Sequence, residues 1–323
     1  MDYQLAAIGE LLIDFVQDRQ EPGCSPRYIA NPGGAPGNVC TMFSKLGGRA
    51  SFIGKVGKDA FGYQLQNTLI GCGIETDGLI IDASVNTSLA FVSLDENSER
   101  SFSFYRKQNA DTQLKPEEIP CESWNKAKIL HFGSVSLSEE PSRCATLTTV
   151  QKAREKGLLI SYDPNYRPLL WSDPEEAREI LWQGTQWADI LKISEEEMLF
   201  MTGETDPQKG VKAFRKTGAS VILITLGRNG AYYCVGPYEG LIEGFRVNSV
   251  DTTGAGDAFV GAFLYCVMDM SRDELTGMEE AQIRKIVRFS NAAAALATTK
   301  YGAIPAMPSF DEVEKVLKSY IAI

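Results

Sequence analysis

A chain of 323 residues, 44% hydrophobic and 23% charged, has the composition of an ordinary soluble globular protein with a sizeable core. Its net charge of −10 argues against a nucleic-acid backbone as partner; no apolar run is long enough to span a bilayer, and the N-terminal MDYQLAAIGE lacks a secretory pattern, so a cytoplasmic location is expected. Seven scattered cysteines without a CxxC pair, and a single histidine (His131, in KILHFGSV), disfavour disulfide frameworks, multi-histidine zinc sites and Ser-His or Cys-His triads, which leaves a carboxylate as the base of any enzyme.

In chain order, β-rich runs fall at LAAIG (5–9), ASFIGKVG (50–57), KILHFGSV (128–135), LLISYDPN (158–165), WADILKIS (187–194) and SVILITLG (220–227). Several lack polar alternation, the pattern of strands buried on both faces of a parallel sheet. Amphipathic helices are predicted around Phe61, Leu65 and Leu69, around Ile283, Ile286 and Val287, and over Phe310, Val313, Val316 and Leu317. The alternation predicts one domain over 1–323: an α/β fold with a doubly wound, mostly parallel sheet, helices on both faces, and ligands at the carboxyl ends of the strands. Residues 12–32 and 86–106 carry strand patterns, including NTSLAFVSLD and RSFSFYR, with no helix between them. They predict a small inserted antiparallel sheet that packs on the core, on substrate, or on a second copy of itself.

Three glycine-containing stretches and one acidic stretch can carry chemistry. NPGGAPGNV (31–39) reads by itself as a turn into a helix, KISEEEMLFMTG (192–203) as a helix start rich in glutamate, and SVILITLGRNGAYY (220–233) as a strand-turn-strand. DTTGAGDAFVGAF (251–263) puts Asp257 behind Gly254, Ala255 and Gly256 where a helix begins. A helix N-terminus offers unpaired N–H groups and partial positive charge, so Asp257 is either a cap or a base beside a bound phosphate. No GxxxxGK[ST] occurs, and the GxGxxG begun by Gly254 fails at Phe259, which weighs against Walker-type NTPases and dinucleotide dehydrogenases.

Taken together, NPGGAPGNV and DTTGAGDAFVGAFL resemble the two consensus motifs of the ribokinase-like (pfkB) family of carbohydrate kinases, and the resemblance covers essentially the whole chain. It implies a catalytic base at Asp257 and an anion hole from the N–H groups of Gly254, Ala255 and Gly256. For ATP it implies Asn165, Arg167, Ser194, Thr225, Gly227, Gly230 and Asn291, with Glu197 acting on Mg2+ directly or through water. Ser194 stands where other members have asparagine. Asp251 and Thr253, with the carbonyls of Ala297, Lys300 and Gly302 and residue Ala306, match a loop that holds K+; some members have serine where Ala306 stands.

Sugar contacts are implied at Asp14, Gly33, Gly34, Asn38 and Arg106. FYRKQNADTQL and YDPNYRPLLW look like fructokinase segments, so ATP-dependent phosphorylation of D-fructose to fructose 6-phosphate is the expected reaction. The DxNxR pattern of Asp163, Asn165 and Arg167 is shared with 2-keto-3-deoxygluconate kinases, the alternative, and a non-catalytic sugar-binding regulator is the alternative of another class. The inserted strands are expected to form a lid and to pair two copies into a homodimer.

Overall fold

The computed structural model describes residues 3–18, 25–94 and 100–319, so the parts of the two inserts at 19–24 and 95–99 lie outside the described residues. The strands in chain order are β1 (Leu5–Ile8), β2 (Leu12–Gln17), β3 (Tyr28–Gly33), β4 (Ala50–Gly57), β5 (Glu75–Asp82), β6 (Leu89–Leu94) and β7 (Arg100–Tyr105). There follow β8 (Ile129–Gly133), β9 (Leu159–Asp163), β10 (Ile190–Ser194), β11 (Val221–Thr225), β12 (Ala231–Val235) and β13 (Tyr238–Ile242). Nine form one sheet in the order β13-β12-β11-β10-β9-β8-β1-β4-β5. Strands β5 through β11 of that order run parallel, and only β12 and β13 turn back antiparallel at one edge.

Alternate residues of the inner strands feed opposite layers. Leu5 and Ala7 of β1 pack with Val39, Phe43, Phe259 and Phe263, whereas Ala6 and Ile8 pack with Leu130, Val150 and Leu181. Burial on both sides is why these strands read as unbroken apolar runs. The Ala35–Lys45 and Ala255–Val267 helices lie side by side on one layer, with the small Ala258 and Ala262 packed against Met42. That contact positions Asn38 beside Asp257.

The remaining strands form a separate sheet, β3-β2-β6-β7. It is not wholly antiparallel as the sequence suggests: β2 and β6 pair parallel, because each leaves the main sheet in the same direction and is followed by its own antiparallel partner. Period-2 alternation gives this sheet two faces. Leu12, Asp14 and Val16 of β2, with Val92 and Phe104, look toward the main sheet's carboxyl edge. On the other face Phe15 stacks on Phe91 at 4.8 Å, and Tyr28 and Tyr105 meet Phe91 edge-on. No helix among the described residues is long and apolar enough to cross a membrane.

Candidate active site

A cavity of about 510 Å³ lies between the two sheets, at the carboxyl ends of the parallel strands. Residues far apart in sequence converge there: Asp14 from β2, Gly34 and Asn38 at the Ala35–Lys45 helix, Asn165 and Arg167 after β9, and Asp251 to Gly254, Gly256 and Asp257. Gly33 lies just outside, against the Asp14 carboxylate.

Asp257 sits in the first turn of the Ala255–Val267 helix, 8% exposed, and Oδ2 accepts a 2.7 Å hydrogen bond from Asn38 Nδ2. Burial pushes its carboxyl up to about 6; Asp163 adds to the rise, while Asn38, Lys192 and Arg167 oppose it. No side chain caps that helix; its N-cap, Gly254, holds φ 77°. A side chain at Gly254 would combine that left-handed backbone with a Cβ 2.8 Å from Ala303. Gly254 and Gly256 both border the cavity, while the N–H of Ala255 makes a long 3.3 Å turn bond to Thr252. Asp14, half-buried, is raised to about 7 by desolvation and by Asp257 and Asp251, against Arg167.

The sequence reading missed Lys192. It is 7% exposed in the middle of β10, in the same cavity, and Nζ donates to Asp163 Oδ1 at 3.1 Å. A Cβ on Gly256 would stand 3.2 Å from this ammonium, so a larger residue there would crowd the charge. Burial works against the charged form, but Asp163, Glu197 and Asp257 outweigh it and hold the ammonium above lysine's usual pKa. Lysines inside β-rich runs carry no periodic signal, and only the apposition of β10 with the 254–257 turn reveals the contact.

Glu197, the residue expected to act on Mg2+, also has a local structural role. In the capping box of the Glu195–Thr202 helix, its Oε2 accepts from the N–H of Ser194 at 2.7 Å, and Oε1 accepts from the N–H of Tyr166 at 2.8 Å. The carboxylate thus fastens the loop that presents Asn165 and Arg167. No group of three His, Cys, Asp or Glu able to hold a metal occurs among the described residues.

Arg106 does not reach the cavity. Its guanidinium binds Asp111 Oδ2 at 2.6 Å, Ser138 Oγ at 2.8 Å and the Val135 carbonyl at 2.9 Å, all buried between β7 and the main sheet. It borders instead a more open depression of about 650 Å³ beside Asp59 and Thr87. Acids, ammonium and glycine turn meet in the smaller cavity instead.

Of the other expected residues, Asp251 and Thr253 line this cavity, whereas Ser194, Thr225, Gly227, Gly230, Asn291, Ala297, Lys300, Gly302 and Ala306 do not. Ser194 and Thr225 are register partners at the ends of β10 and β11, with Gly227 and Gly230 in the turn beyond, and Asn291 pins the carbonyls of Ile242 and Glu243 at 3.0 and 3.3 Å. Asp251 Oδ2 accepts from the N–H of Gly302 at 3.0 Å and Oδ1 accepts from Thr253 Oγ1 at 2.7 Å, which ties the 251–253 segment to the loop carrying Lys300 and Ala306. Ala297 ends the Glu280–Ala297 helix just before that loop. His131 is a core residue bonded to Ser161 at 3.0 Å, its pKa lowered to about 3 by burial and by Lys192.

Residues 2–309 match the pfkB family carbohydrate kinase profile. The probable fructokinase-3 of Arabidopsis thaliana is 43% identical over 317 residues, covering 97% of this chain and 91% of that protein. The crystal structure of Xylella fastidiosa fructokinase with bound ATP superposes with a TM-score of 0.92 at 32% identity, over 99% of this chain and 100% of the other. A double mutant of Vibrio cholerae fructokinase bound to fructose, ADP and a potassium ion gives 0.87 at 35% identity, over 98% and 99%.

Proposed function

Because the chain belongs to the pfkB family of carbohydrate kinases, we propose that it transfers the γ-phosphate of ATP to the 6-hydroxyl of D-fructose. The observation that carries the proposal is the buried Asp257 carboxylate, raised to about 6, at a glycine-rich helix start beside the Lys192 ammonium. Asp257 takes the proton of the sugar hydroxyl. The hydroxyl oxygen bonds to the γ-phosphorus, the bond from phosphorus to the β,γ-bridging oxygen breaks, and that electron pair leaves with ADP. The N–H groups of the 254–256 turn and Lys192 face the charge on the moving phosphoryl group, where positioning and charge stabilisation do most of the catalysis.

Fructose is favoured over an acid sugar because Arg106, which could pair with a substrate carboxylate, is engaged by Asp111, and because the Arabidopsis and Xylella relatives described above are named fructokinases. Asn165, Arg167, Ser194, Thr225, Gly227, Gly230 and Asn291 lie along the ATP side. Mg2+ would be held chiefly by ATP phosphates and water, with Glu197, whose two oxygens each accept one backbone N–H, acting through a water. The 251–253 and 297–306 segments, joined through Asp251 and Gly302, fit a K+ loop beside the turn. A coupled ADP-release assay across fructose, 2-keto-3-deoxygluconate, ribose and nucleosides gives fructose the highest kcat/KM; a panel led by the acid sugar would overturn the substrate assignment.

The four-stranded sheet is the lid of this reading, and its outer face is the contact for a second copy. That face presents an aromatic cluster with Tyr28 37% and Tyr105 63% exposed, which resembles an interface core more than a solvated sheet. Sedimentation of the wild type is expected to show a dimer, and Tyr105→Asp should shift it to monomer. A wild type that stays monomeric at every concentration would remove the dimer and leave the lid standing.

A further inference from the structure

Glu10 follows β1, the strand whose neighbours β4 and β8 lie on opposite sides, which is where an open α/β sheet forms its ligand crevice. The residue is 4% exposed and lines the cavity with Asp14 and Asn38. Its Oε1 accepts a 2.8 Å hydrogen bond from the N–H of Ala35. Its Oε2 is buried with no hydrogen-bond partner, and so is Oδ1 of Asn38. Burial pushes the Glu10 carboxyl up to about 7, with backbone hydrogen bonds from Ala35 and from Glu10 itself opposing the rise. Arg106, whose charge also opposes the rise, is already engaged by Asp111, Ser138 and Val135.

A buried acceptor without a donor is costly, roughly 1–3 kcal/mol and more for a charged group. Here two such acceptors belong to residues that line one cavity together with the Asp14 carboxylate. An acceptor-rich wall calls for a ligand that brings donors, which is what the hydroxyls of a free sugar are.

We infer that Glu10 is a substrate-binding residue, with Oε2 accepting a hydrogen bond from a sugar hydroxyl while Oε1 stays on Ala35. The inference rests on the sugar-kinase reading and adds to it a contact that the family motifs do not contain. It also explains why an acid occupies a position where capping a helix entry would be served by a shorter polar side chain.

Glu10→Gln tests this. The amide oxygen still accepts from Ala35, and the amide NH2 replaces the acceptor facing the sugar. KM for fructose is expected to rise about 10- to 100-fold, with KM for ATP, kcat and the melting temperature little changed. Deoxyfructose analogues locate the partner: the analogue lacking the hydroxyl that Glu10 holds should be penalised by the wild type and not further by the variant. A sugar KM within twofold of wild type, or a lowered melting temperature with unaltered kinetics, means that Glu10 only caps the helix and overturns the inference. Should the glutamine variant fail to fold, Glu10→Asp keeps the charge, shortens the reach and is read by the same sugar KM. A wild type that phosphorylates no free sugar would instead sink the kinase reading itself.

Discussion

Replacing Asp257 by asparagine is expected to lower kcat by about 10²- to 10⁴-fold, the range for losing a general base, with KM for ATP within a few-fold of wild type. Asparagine keeps the shape and still accepts from Asn38, but it cannot take the hydroxyl proton. The wild-type pH profile carries the same information. With the carboxyl raised to about 6, kcat/KM should fall as pH drops through that value, because the protonated acid cannot act as base. Asp14, raised to about 7, titrates nearby and will broaden this limb.

Stability should move the other way. A carboxyl whose folded pKa is raised holds its proton more tightly in the native state, so ionising it costs stability as pH rises from about 4 through 6. Asp257→Asn removes that cost, on the order of 1–3 kcal/mol, and should melt above wild type at pH 8. A variant with wild-type turnover would end the assignment of Asp257, whatever its melting temperature.

Lys192→Met carries the second large effect. Loss of one preorganised charge at the developing oxyanion typically costs about 10²- to 10³-fold in kcat. Lys192 also opposes the rise in the Asp257 pKa, so its removal should shift the acid limb of kcat/KM to higher pH. The groups around Asp257 in that variant are Asn38, Asp14, Asp163 and Arg167. Because methionine leaves the buried Asp163 without its cation, about 3–5 kcal/mol of stability is at risk, and Lys192→Met with Asp163→Asn separates folding from catalysis. If the double variant folds like wild type and keeps its kcat, Lys192 has no part in the chemistry.

Much of the fold was legible because it rests on local periodicity. The runs at 5–9, 50–57, 128–135, 158–165, 187–194 and 220–227 all contain strands, and the amphipathic spacings mark the Ala60–Gly71, Glu280–Ala297 and Phe310–Ser319 helices. Strand β5 escaped notice because Glu75, Asp77 and Asp82 interrupt its apolar run at the edge of the sheet, where one side of the strand meets solvent. The parallel pairing of β2 with β6 was equally hidden, since strand direction is set by where each chain segment leaves the core and not by its composition.

The site divides along the same physical line. The sequence by itself determined the parts that are contiguous: the Gly254-Ala255-Gly256-Asp257 turn, the NPGGAPGNV helix entry and the Ser194–Glu197 capping box, each a run of neighbours whose backbone chemistry is local. Tertiary structure alone decided what faces those parts. It placed Lys192 against Gly256 and Glu10 in the cavity, drew Arg106 away into Asp111, Ser138 and Val135, and set the second Glu197 oxygen on the N–H of Tyr166. The reason is that a motif fixes dihedral angles over a few residues, whereas burial and charge pairing depend on side chains that separate segments of the chain bring together.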